Sequence, residues 1–86
     1  MRQLVTGASE GRMVEVAELE RRLAAALPGA TIAVRDTTGE GDHFDVQVRA
    51  AAFAGLSLVE QHRLVYDALG DLMRQVHALA VRTESA

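Results

Sequence analysis

Three histidines carry most of the chemical potential of this chain, and no cysteine accompanies them. His43 stands in G-D-H-F (41–44), His62 in V-E-Q-H-R-L-V-Y (59–66) and His77 in V-H-A-L (76–79). Imidazole titrates near neutral pH and ligates metals through either ring nitrogen. Other reactive groups fall into structural roles: Ser9 and Ser85 lie in terminal segments, and Ser57 fits a helix cap. Without cysteine the chain can build neither a disulfide nor an all-thiolate metal site. The acidic stretch D-T-T-G-E-G-D (36–42) lacks the ligand spacing of an EF-hand, and its G-E-G is too short for a phosphate-binding loop. It reads as a solvated turn. No catalytic constellation is left, and a non-enzymatic role is expected.

The elements that must position these histidines belong to one small domain of 86 residues. A chain of this length buries only about 60% of its unfolded surface. Hydrophobic residues make up 49%, with one Tyr, two Phe and no Trp, so the core must be aliphatic. Net charge is −3, and all nine basic residues are arginine. Genome composition accounts for that bias more simply than arginine chemistry does. An acidic chain is a poor nonspecific binder of nucleic acid. No apolar run approaches the ~20 residues of a membrane span, and no basic start precedes a long apolar run, so neither a span nor a secretion signal is read. The cysteine-free composition fits a reducing cytosol, and a cytoplasmic location is expected.

Residues 1–12 show no periodicity and read as a tail, with Met13 a candidate natural start. Over 13–27, Val16, Leu19, Leu23 and Leu27 make one apolar helical stripe, Glu18 and Arg22 pair at i,i+4, and Pro28-Gly29 ends the helix. Residues 31–35 alternate, with Ile32 and Val34 inward. Residues 43–49 alternate again, with Phe44, Val46 and Val48 inward and His43, Asp45, Gln47 and Arg49 outward, which predicts a hairpin across turn 36–42. A connector over 50–56 leads to Ser57-Leu58-Val59-Glu60, a capping box. The helix it opens should run to about residue 74 with a stripe of Leu58, His62, Val65, Leu69, Leu72 and Val76. Gly70 marks a kink or an early end. A third strand is expected over 77–83, with 84–86 a short tail.

The order is helix, strand, strand, helix, strand: an α/β (α+β) domain with two helices on one face of a three-stranded mixed sheet. Strand two, helix two and strand three form a crossover, which makes those two strands parallel. His43 and His77, opening parallel strands, should therefore share one end of the sheet. If the strands are neighbours, their backbones are about 5 Å apart and the imidazoles could share a metal. Alternation opposes this. His77 has the parity of Leu79 and Val81, whereas His43 opposes Phe44, so fully extended strands would aim the rings at opposite faces. Each also has a plain reading: His43 as an exposed residue by a turn, His77 as a half-buried residue bonded to backbone. His62, on the apolar stripe, reads as a packing residue.

The assembled segments resemble the BolA family. L-P-G-A (27–30), G-D-H-F (41–44), F-A-G-L-S (53–57), Q-H-R-L-V-Y (61–66) and V-H-A-L-A-V-R-T (76–83) carry the resemblance in order across residues 13–83. G-D-H-F suggests the bacterial branch with a short loop between the first two strands. The resemblance implies an αββαβ domain similar to a class II KH domain, and a non-enzymatic partner of monothiol glutaredoxins. In such a pair the two proteins share a [2Fe–2S] cluster for cluster trafficking or iron-status regulation. The glutaredoxin supplies its cysteine and a glutathione thiolate. The BolA-like chain supplies the histidine of H-A-L, here His77, plus a His or Cys from the loop between its first two strands. Residues 36–42 contain neither, which leaves His43 as the nearby second ligand. The isolated chain should bind no cluster.

Two further classes stay open. Some relatives are described as transcription factors, so a KH-like nucleic-acid-binding regulator is the alternative, with Arg63 and Arg74 as candidate contacts. The acidic charge and the absence of a G-x-x-G loop between paired helices oppose it. The other is an adaptor that binds a glutaredoxin without iron, and a homodimer is a further assembly to consider.

Overall fold

The computed structural model describes residues 14–86. The expected tail and the Met13 start lie outside the described residues. The first helix, α1, spans Val16–Ala26 and starts at Glu15, whose side chain does not cap it. It begins three residues later than the periodicity predicts. Val14 is instead buried at a bend before the helix, its N–H donating to the Gly41 carbonyl at 3.1 Å. Leu19, Leu23 and Leu27 form the buried stripe, while Val16 packs at its rim.

Strand β1 (Thr31–Asp36) pairs antiparallel with β2 (His43–Ala50), from Thr31 opposite Arg49 to Asp36 opposite Phe44. Phe44, Val46, Val48 and Ala50 of β2 are buried, and Ile32 and Val34 of β1 pack beside them. The expected alternation is therefore present. The connector is less idle than its sequence implies. A 3₁₀ turn over Ala51–Phe53 inserts Phe53 into the core with no exposed surface.

Helix α2 spans Leu58–Leu69 and opens with the predicted capping box. Glu60 N–H donates to Ser57 Oγ at 3.1 Å, and Ser57 N–H donates to Glu60 Oε1 at 2.8 Å. Val65 and Leu69 are fully buried. Leu58, expected on the stripe, is 62% exposed. The inward position of the first turn is taken by Gln61, which donates to the Leu56 carbonyl at 3.1 Å and accepts from the Thr83 hydroxyl at 2.6 Å. A polar tie to the sheet thus replaces apolar packing there. The α-helix ends at Gly70, whose φ of 53° favours glycine, and a 3₁₀ turn over Gly70–Arg74 continues the chain and buries Leu72.

Strand β3 (Ala78–Ser85) lies parallel to β2, with His43 opposite Ala78 and Ala50 opposite Ser85. It continues two residues past the expected end. The sheet order is β1-β2-β3, mixed as expected. Both helices pack against the sheet and each other, while Arg35, Gln47, Arg49 and Arg82 stand exposed on the opposite face. Arg22 of α1 clasps the end of α2. Its Nη1 donates to the Leu69 carbonyl at 3.1 Å and to Asp71 Oδ1 at 3.1 Å, and its Nε lies 3.3 Å from Glu18.

Two outcomes are expected. Phe53→Ala removes a buried aromatic ring from a small core, so chemical denaturation should show a loss of about 3–5 kcal/mol. The Arg22 guanidinium, through its hydrogen bond and its charge, holds the Asp71 carboxyl below its ordinary value of 3.8. A depressed folded-state pKa contributes stability above the unfolded value that is lost as pH falls through the folded one. Thermal melts on the acid side of 3.8 should therefore lose part of their pH dependence in Asp71→Asn.

Candidate metal centre

The loop that joins β1 to β2 is organised by one carboxylate. Asp36 accepts from the backbone N–H groups of Thr38 at 3.2 Å, Gly39 at 2.8 Å and Gly41 at 2.9 Å. Gly39 and Gly41 sit at φ values of 82° and 78°, in the left-handed region that favours glycine. The Thr38 hydroxyl then donates to Asp42 Oδ1 at 2.8 Å. Loop and strand are thereby locked together immediately before His43.

Asp42 also receives the chain returning from α2. Its carbonyl accepts from the N–H groups of both His77, at 2.7 Å, and Ala78, at 3.0 Å. Successive N–H groups of an extended strand point in opposite directions. Two of them converging on one oxygen require a turn, and His77 indeed sits at a bend with β3 starting one residue later. The parity objection is removed by this bend. His77 leaves the face of Leu79 and Val81 and becomes exposed.

The result is a pair of imidazoles with ring centroids 5.0 Å apart and planes inclined by 55°. Asp42, His43, Arg74, Gln75, Val76 and His77 line one open depression. His43 is half-buried. Its Nδ1 is enclosed and lies 3.1 Å from Asp42 Oδ1, without the full alignment of a hydrogen bond. The Asp42 carboxyl is held below its ordinary value, first by the His43 ring and then by the Thr38 hydroxyl. No other described group bonds His43 Nδ1.

A nitrogen ligand sits about 2 Å from its metal, so two imidazoles on one tetrahedral ion have centroids roughly 5 Å apart. The observed pair fits that requirement. No group of three or more His, Cys, Asp or Glu side chains capable of holding a metal occurs among the described residues. As a metal site the pair would supply two donors, and the remaining ligands would have to come from elsewhere.

The other nominated residues divide. His62 is half-buried on α2 and lies outside the depression, in keeping with packing. Arg63 and Arg74 are both exposed, but only Arg74 lines the depression, so they form no joint patch there. Asp42 was missed as a site residue. Its visible signal was its place immediately before His43, but the double use of its carbonyl depends on tertiary structure.

A three-stranded α+β domain with an imidazole pair where its parallel strands begin defines a class of small domain, and comparison with known proteins places it. Residues 23–86 match the family model for BolA-like protein. The chain belongs to the BolA-like family. It is 34% identical over 73 residues to protein RP812 of Rickettsia prowazekii, spanning 84% of this chain and 95% of that one. It is 48% identical over 46 residues to the DNA-binding transcriptional regulator BolA of Vibrio cholerae, a match covering 52% of this chain and 43% of the relative. The crystal structure of a Bol-like protein from Babesia bovis superposes with a TM-score of 0.78 at 29% identity, covering 87% of this chain and 88% of that one.

His77 is exposed, so its side chain contributes little to folding. His77→Ala should change unfolding free energy by no more than about 0.5 kcal/mol, as measured by urea titration.

Proposed function

We propose that this protein is a non-enzymatic partner of a monothiol glutaredoxin and shares a [2Fe–2S] cluster with it, for cluster trafficking or iron-status regulation. The observation that carries the reading is the His43–His77 pair, 5.0 Å apart at an open edge. It offers two donors where a complete protein site needs more. The chain has no cysteine, so any thiolates must come from the partner and from glutathione. His77 and His43 would hold one side of the cluster. When bound, the cluster supplies a one-electron couple, whose potential rises where neutral imidazoles replace thiolates. Ligation needs unprotonated imidazole, so cluster retention should weaken in acid. No helix among the described residues is long and apolar enough to cross a membrane, and a cytoplasmic setting, where thiols stay reduced, suits such an exchange.

A second reading has one observation in its favour: the Vibrio cholerae relative is named a DNA-binding regulator. The net charge of −3 and the separation of Arg63 from the Arg74 depression weigh against duplex binding here.

The test is a visible absorption and circular-dichroism titration with a monothiol glutaredoxin, glutathione, iron and sulfide. The isolated chain should stay colourless, the mixture should develop heterodimer bands, and His77→Ala should abolish them. Bands unchanged in His77→Ala would remove the ligand assignment. No cluster at all, with steeply salt-dependent binding to duplex DNA, would favour the second reading.

A further inference from the structure

We infer that Asp42 is the positioning residue of the histidine pair: it holds His43 as the Nδ1–H tautomer and leaves Nε2 as that ring's donor atom. The inference deepens the function proposed above and rests on it for the identity of the ligand, but not for the orientation of the ring.

The argument begins with the two nitrogens of His43. A neutral imidazole carries one N–H and one lone pair. Nδ1 is enclosed and lies 3.1 Å from a carboxylate oxygen of Asp42. A lone pair held against that oxygen is repelled, whereas an N–H is attracted even when it is not fully aligned. The proton therefore belongs on Nδ1. Enclosure adds a second constraint, because a metal approaching from solvent cannot reach an atom without exposed surface. Both point to Nε2. A carboxylate behind a ligating imidazole fixes its tautomer and raises its basicity.

The carboxylate is itself held. Thr38 Oγ1 donates to the same Oδ1 at 2.8 Å, and the Asp36 loop sets Thr38. The backbone of Asp42 acts on the other histidine, since its carbonyl takes the His77 and Ala78 N–H groups. One residue thus orients the first imidazole through its side chain and places the second through its main chain. A side-chain substitution at Asp42 disturbs the former and spares the latter, which makes the two separable.

The test uses the isolated, ¹⁵N-labelled protein in long-range ¹H–¹⁵N imidazole spectra at about pH 8.5, where an ordinary histidine is neutral. His43 should show a protonated Nδ1 and an unprotonated Nε2. Asp42→Ala should shift His43 toward a mixture of tautomers and leave His62 unchanged. Asp42→Asn should restore Nδ1–H, because its amide oxygen can still accept from Thr38 and face His43. In the glutaredoxin complex, Asp42→Ala should shorten cluster lifetime about tenfold. A wild-type His43 protonated at Nε2 would overturn the inference, and that measurement decides even if Asp42→Ala fails to fold. Tautomers unchanged in a folded Asp42→Ala would also overturn it. An Nδ1–H His43 in a protein that acquires no cluster with glutaredoxin would instead remove the functional reading and leave this one standing.

Discussion

The parallel pairing of β2 with β3 is the constraint on which the molecule depends. Parallel neighbours cannot be joined by a tight turn and need a crossover. Here that crossover is the 3₁₀ turn at Ala51–Phe53, helix α2 and the second 3₁₀ turn, which together supply much of the core. The register sets His43 opposite Ala78. A slip of one residue would turn every β3 side chain to the wrong face, exposing Leu79 and Val81. The same register places His77 one step beyond the strand, beside Asp42. Core burial and histidine placement therefore share one cause.

Phe44 shows how closely the two are linked. It is one of two phenylalanines, and both are fully or almost fully buried. In an extended strand a residue directly before a buried one faces the other side. Burial of Phe44 thus sets His43 toward the other face of the strand, where Asp42 and His77 meet its ring. The helices complete the arrangement from the core side. Arg22 joins α1 to the end of α2 by bonding the Leu69 carbonyl and Asp71, where helix-terminal carbonyls lack internal partners. The chain then has only the short Gly70–Arg74 turn and three residues in which to reach β3.

Elements whose signal is local were legible in the sequence. The α1 stripe, the alternation of β1 and β2, the Ser57–Glu60 box and the break at Gly70 each follow from neighbours within a few positions. Features settled by tertiary contacts were not. Phe53 sits in a segment with no period to reveal its burial, because a single 3₁₀ turn aims it inward. Leu58 fits the apolar stripe on spacing, yet Gln61 takes the inward place through bonds to Leu56 and Thr83 that no local pattern encodes. At the site, the shared sheet end followed from topology. The bend that reconciles His77 with His43 did not, because it depends on one carbonyl oxygen, that of Asp42, receiving two N–H groups from 35 and 36 positions along the chain.

That bend also bears on how the two imidazoles are held together. Holding two imidazoles near one another costs conformational entropy, and the cost is met before any ligand arrives when the backbone beneath them is already fixed. The Asp36 carboxylate fixes the loop through three N–H bonds, and the Asp42 carbonyl fixes the returning strand. Neither uses a histidine side chain, so the rings are positioned by the fold while contributing little to it. A complete set of protein donors would favour retention of an ion by this chain alone. On the proposed reading, two imidazole donors at an open edge bind only when a second molecule contributes the rest, and the ion is released when that molecule leaves. Exchange is then a consequence of the donor count itself: the chain presents ligands in a fixed geometry and supplies no thiolate with which to keep what it helps to hold.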